Sequence, residues 1–158
     1  MRPLAEFVLL STLAGGVSMV FSTVIDMAGQ RVQWADSLKW VLPALVAAGV
    51  GAWSAAFWQR RRDSRRDRRA SAPAQHAGGM AVRTVVLSAL SYLPALLLYL
   101  LVALAATGDA RVIGSQVLLL LFVIGCLPLL WAAVPFSMIE YALCRRYLRR
   151  QRVLAGSP

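Results

Sequence analysis

Residues 40–69 read WVLPALVAAGVGAWSAAFWQRRRDSRRDRR. The first nineteen, Trp40 to Trp58, carry no charge, and the next eleven hold seven arginines. A helix of about 20 apolar residues crosses a hydrocarbon core about 30 Å thick. Trp40 and Trp58 stand at the two ends of the run, at the interfacial depth where indole rings concentrate. The arginine block beyond Trp58 is a stop-transfer signal that belongs on the cytoplasmic side. This stretch therefore predicts a transmembrane helix over 40–58.

Outward from it, three further runs fit the same description. One covers residues 4–25, with Glu6 its single charge, and another covers 85–106 without any. The last is uncharged from Val112 through Ile139, longer than one span requires. Pro128 and Pro135 are expected to bend or divide it, with the span ending near residue 134. Arg2 makes a thin basic start and no A-x-A site closes the first run, so that run is read as a retained anchor, not a cleaved signal peptide. Composition agrees. Of the 158 residues 59% are apolar and 15% charged, with a net charge of +10, and mean hydropathy is +0.63. Soluble domains hold about 25% charged residues, and a disordered chain needs low hydrophobicity. The expected fold is an all-α membrane protein, four transmembrane helices in a bundle. Residues 59–84 are expected to form a basic flexible cytoplasmic loop and 135–158 a basic amphipathic tail helix on the membrane surface.

Charge sets the threading. With four spans, fourteen basic residues fall on one side, in the N-terminal segment, the 59–84 loop and the tail. Arg31, Lys39 and Arg111 fall on the other. The positive-inside rule then places the N- and C-terminal segments in the cytoplasm. Sixteen arginines to one lysine, in a chain rich in Ala, Leu, Val and Gly, is the bias of a GC-rich bacterial genome, so the expected location is a bacterial inner membrane.

Candidate sites follow from residue type and spacing. Ala44, Ala48, Ala52 and Ala56 recur every four residues, as do Ala47, Gly51 and Ala55. Small side chains let helix backbones approach closely, which drives helix association in lipid. Ala44, Ala48, Gly51, Ala52 and Ala55 are thus helix-contact candidates, either within this chain or toward another subunit. Arg60, Arg61, Arg62, Arg65 and Arg66, with Arg145, Arg146 and Arg149 of the tail, are candidates for anionic lipid headgroups. They lack the aromatic interleaving of a nucleic-acid reader, so no nucleic acid is expected. On the wheel of the tail, Phe136 and Tyr147 share an apolar side with Glu140. Glu140 has Cys144, not a cation, one turn on. Pairing with an arginine such as Arg60 or Arg83 is the plain expectation for it, and a proton path the functional one.

No nucleophile–base pair or phosphate loop appears. Two cysteines make no disulfide framework, and His76, the one histidine, builds no metal site alone. The chain is expected to be non-catalytic, without cofactor or metal. The leading expectation is an accessory or regulatory subunit working through helix contacts, with membrane lipids and a membrane-protein partner or a second copy of itself as partners. The alternatives are a small oligomeric transporter or channel, which a deep polar stripe would favour, and an immunity protein against a toxin acting at the inner membrane. The threading predicts that reporter fusions at Gln75 and after the last residue read cytoplasmic, and one at Gln33 periplasmic. A periplasmic signal at Gln75 overturns it.

Overall fold

The computed structural model describes residues 3–26, 34–66, 77–107 and 116–156. All of these are helical: α1 Pro3–Asp26, α2 Trp34–Arg66, α3 Ala77–Thr107 and α4 Gln116–Gly156. No strand occurs among the described residues. Each helix contains a segment long and apolar enough to cross a membrane. α1 opens on Pro3, whose fixed φ and missing N–H suit a first helical turn. Pro43, Pro94, Pro128 and Pro135 all lie inside helices. Neighbouring helices can satisfy the backbone groups such prolines free.

Two expected boundaries give way. The basic segment 59–84 is not one loop. α2 runs on to Arg66 and α3 starts at Ala77, leaving 67–76 outside the described residues. Arginine is a good helix former, so the charge that ends an apolar run does not end the helix. Gly78 and Gly79 occupy the first turn of α3, and Met80 and Ala81 directly after them are buried.

The separate surface helix expected from 135–158 is likewise absent, because α4 is one helix of 41 residues. At 1.5 Å per residue it is about 60 Å long, twice a hydrocarbon core. The apolar side assigned to the membrane surface is covered by protein instead. Phe136, Glu140, Cys144, Tyr147 and Leu148 are buried, and the Tyr147 ring packs on Phe7 of α1 with centroids 5.0 Å apart. Covering that face with helices removes the reason for the chain to turn at Pro135.

α1 packs against α2 and α4, and α3 packs against the same two. Three apolar clusters follow one another along the interior. One joins Phe7, Ala52, Ala56, Met80, Ala81, Cys144 and Tyr147. The next joins Ala14, Ala48 and Phe136. The third joins Met19, Ala44, Ala47, Tyr92, Leu96 and Ala132. Outward faces are apolar too: Val17, Leu98, Leu130 and Met138 are all more than 60% exposed.

The helix-contact candidates are spent inside this chain. Ala44, Ala48, Ala52 and Ala55 are all buried. A Cβ at Gly51 would land on the Ser88 hydroxyl and within 2.6 Å of the Ser88 backbone nitrogen. A Cβ at Gly15 would strike the Ala48 methyl and lie 3.3 Å from the Ala44 carbonyl oxygen. Glycine at these two places lets α2 lie close to α3 on one side and to α1 on the other. Gly51→Ala is therefore expected to lower stability by about 1–3 kcal/mol, the usual result of overpacking. The measurement is thermal unfolding in detergent. Between α3 and α4, the Tyr92 hydroxyl donates to the Gly125 carbonyl oxygen at 2.8 Å. Removing that buried bond in Tyr92→Phe is expected to cost about 1 kcal/mol.

Candidate functional site

Glu140 stands at the centre of the site. Its side chain is fully buried, and neither carboxylate oxygen has a hydrogen-bond partner. The pairing with Arg60 or Arg83 expected from sequence is not made. The Ser11 hydroxyl of α1 faces the carboxylate. Cys144 lies beside it one turn further along α4, with Thr84 of α3 next to the thiol. Thr84 Oγ1 donates back to the Met80 carbonyl oxygen of its own helix at 3.0 Å. Ala52 and Ala56 of α2 share an apolar cluster with Cys144.

Arg146 and Arg150 go to the other glutamate. Glu6 of α1 accepts a hydrogen bond from Arg146 at 2.8 Å and another from Arg150. Arg146 and Arg150 lie one turn apart on α4, so a single carboxylate on the facing helix reaches both. Arg146 and Arg150 flank the buried strip of α4 and are themselves about half exposed. Of the headgroup candidates, Arg146 thus serves an intramolecular pair. Arg61 sits over the Phe57 ring at 4.8 Å, and Phe57 stacks on Trp53 at 5.7 Å. Arg62, Arg145 and Arg149 are exposed. The side chains of Arg65 and Arg66 lie outside the described residues.

Hydroxyls line the interior on both sides of Glu140's neighbourhood. Ser11, Ser18 and Ser22 fall at i, i+7 and i+11 on α1, which places them on one helical face. All three are buried, and their oxygens have no hydrogen-bond partner. Ser88 of α3 is the same. Thr84, Ser88 and Tyr92 follow one another at four-residue spacing on α3. Between these helices lies a cavity of about 60 Å³, lined by Ser18, Met19, Ala48, Ser88, Tyr92 and Phe136 among others. Phe136 is one turn before Glu140, which does not itself line the cavity.

The sequence pointed to Glu140 but gave no role to Ser11, Thr84 and Tyr92. The i, i+7, i+11 spacing on α1 and the i, i+4, i+8 spacing on α3 were the available signals. Each became legible only once the two faces were seen to turn toward one another. Among the described residues no three of His, Cys, Asp and Glu come together. The chain matches no family model, and neither a curated protein nor a solved structure matches it.

Proposed function

We propose that this chain is a multi-pass membrane protein, a four-helix bundle across a bacterial inner membrane, that moves an ion through its interior with Glu140 as the binding acid. The basic ends of α2 and α4 then lie in the cytoplasm, where exposed arginines such as Arg62, Arg145 and Arg149 meet anionic headgroups.

The observation that carries the reading is Glu140. A buried carboxylate without a cation or a hydrogen bond is costly to hold charged. An ionisable residue inside a membrane domain marks an ion or proton pathway by default. The polarity of the whole molecule supports this. Hydroxyls and the acid face inward, while Val, Leu and Met face outward, an arrangement suited to hydrocarbon outside and an ion path within. Of the two contacts expected for the small residues, within this chain or toward another subunit, the packing of these four helices uses the first, which leaves less support for an accessory role.

The test is reconstitution of the purified protein into phospholipid vesicles, with gradients of H⁺, Na⁺ and K⁺ imposed in turn and followed by fluorescent indicators. The wild type is expected to dissipate at least one gradient faster than empty vesicles. Glu140→Gln is expected to abolish that flux, with thermal unfolding and elution from size exclusion unchanged. Wild-type vesicles no leakier than empty ones for all three ions would sink the reading and return the chain to an accessory role. So would a Glu140→Gln variant as active as the parent.

A further inference from the structure

We infer that the cytoplasmic end of α4 carries a site for one acidic phospholipid, with its phosphate between Arg145 and Arg149 and an acyl chain laid along Tyr141, Met138 and Val134. This rests on the membrane reading of the chain, with the end of α4 in the cytoplasm, and not on ion movement through the interior.

The site is a groove between the start of α3 and the last turns of α4. Its volume is about 670 Å³, and its walls include Ala77, Tyr141, Arg145, Leu148 and Arg149. Clefts that hold small molecules run from roughly 300 to 1,000 Å³. The first turn of α3 stands close to α4 here, since a Cβ at Gly78 would meet the Tyr141 ring at 3.9 Å. No carboxylate lines the groove among the described residues. Its charge is therefore wholly positive.

Arg145 and Arg149 lie one turn apart on α4, and both are exposed. Neither has an ion-pair partner among the described residues, whereas Arg146 and Arg150 are bound to Glu6. A guanidinium holds phosphate oxygens through paired N–H donors. Two of them one turn apart can close on a single phosphate from above and below. Basic pockets between helices at the cytoplasmic surface are where acidic headgroups bind.

The face these arginines share identifies the rest of the ligand. Val134, Met138, Tyr141, Arg145 and Arg149 follow at three- or four-residue spacing, which places them on one side of α4. Val134 is 64% exposed, Met138 72% and Tyr141 50%. The strip thus passes from aliphatic to aromatic to cationic, the order of acyl chain, glycerol and phosphate along a lipid. Tyrosine belongs at the interface. From Gln116 to Tyr141 the helix rises about 38 Å, enough to cross a core of about 30 Å. Arg145 stands about 6 Å beyond Tyr141, at headgroup depth. Helical side chains lean toward the N-terminus, so Arg149 leans back toward the same level. A free phosphate would leave the apolar strip unused, and a second copy of the chain would bring like charges together.

The experiment titrates the full chain in detergent with phosphatidylglycerol or phosphatidylcholine and counts bound lipids by native mass spectrometry. The wild type is expected to retain one phosphatidylglycerol and to prefer it about tenfold or more over phosphatidylcholine. Arg145→Gln with Arg149→Gln should abolish that preference. Removing two charges from the end of α2, Arg61→Gln with Arg62→Gln, should change it less than about twofold at physiological salt, where separate surface charges are screened. Met138→Asn should weaken retention of the lipid. All these side chains are exposed, and thermal unfolding in detergent separates loss of binding from loss of fold. Equal loss from the two arginine pairs would reduce the site to diffuse attraction and overturn the inference. So would displacement of the lipid by millimolar inorganic phosphate, or a dimer that the Arg145 and Arg149 changes dissociate, which gives the groove to a second copy. Failure to retain the lipid by a chain that resists alkaline extraction from vesicles would overturn this inference alone. Extraction of the chain would overturn the membrane reading with it.

Discussion

At Gly51 the backbone of α2 lies so close to Ser88 of α3 that a single methyl group has no place between them, and at Gly15 of α1 the same holds against Ala48. The other features of the interior depend on these two approaches. They draw α1 and α3 in toward α2 and leave α4 to close the remaining side, where it packs on α1 and α3. Phe136, Glu140, Cys144 and Tyr147 of α4 are buried as a consequence. Replace the small residues with larger ones and the helices separate, the cavity loses its walls, and Glu140 gains access to whatever surrounds the protein.

The two glutamates show how position along a helix pair changes the same chemistry. Glu6 and Glu140 lie on neighbouring helices. Glu6 falls on the rim, where Arg146 and Arg150 flank the buried strip of α4, and it binds both. Such half-exposed pairs are worth roughly 0.2–1 kcal/mol each. Glu140 falls at the centre of the same strip. Its carboxylate oxygens have no hydrogen-bond partner among the described residues. An acid there does not contribute to stability by pairing.

The outer surface is apolar like most of the interior, and several hydroxyls are buried. Serine and threonine hydroxyls collect along the inner faces of α1 and α3, and the outer surface is a field of Val, Leu, Trp and Met. In water such a surface would drive association, and in lipid it is neutral. Inside, threonine settles its hydroxyl on its own helix, as Thr12, Thr23 and Thr84 do. Ser11, Ser18, Ser22 and Ser88 do not, and their oxygens have no hydrogen-bond partner among the described residues.

The number and approximate position of the apolar helices are written in local composition. A run of apolar residues bounded by tryptophan or arginine is complete information about that run, since the solvent it needs is a bulk property. The alanine spacing on 44–56 likewise announced a close helix contact. Where helices stop was less legible: α2 outlasts its apolar run to Arg66 and α4 passes through Pro135, because backbone hydrogen bonding continues regardless of side-chain charge when packing supports it. The partner of each acid was not legible at all. Glu6 lies 140 residues from Arg146, and whether Glu140 meets an arginine, a lipid headgroup or a wall of alanine depends on which helix turns toward it. Local sequence settles what each helix is made of. Only the packing of the four against one another decides which residues share an interior, because burial is a property of the assembled surfaces and not of any one of them.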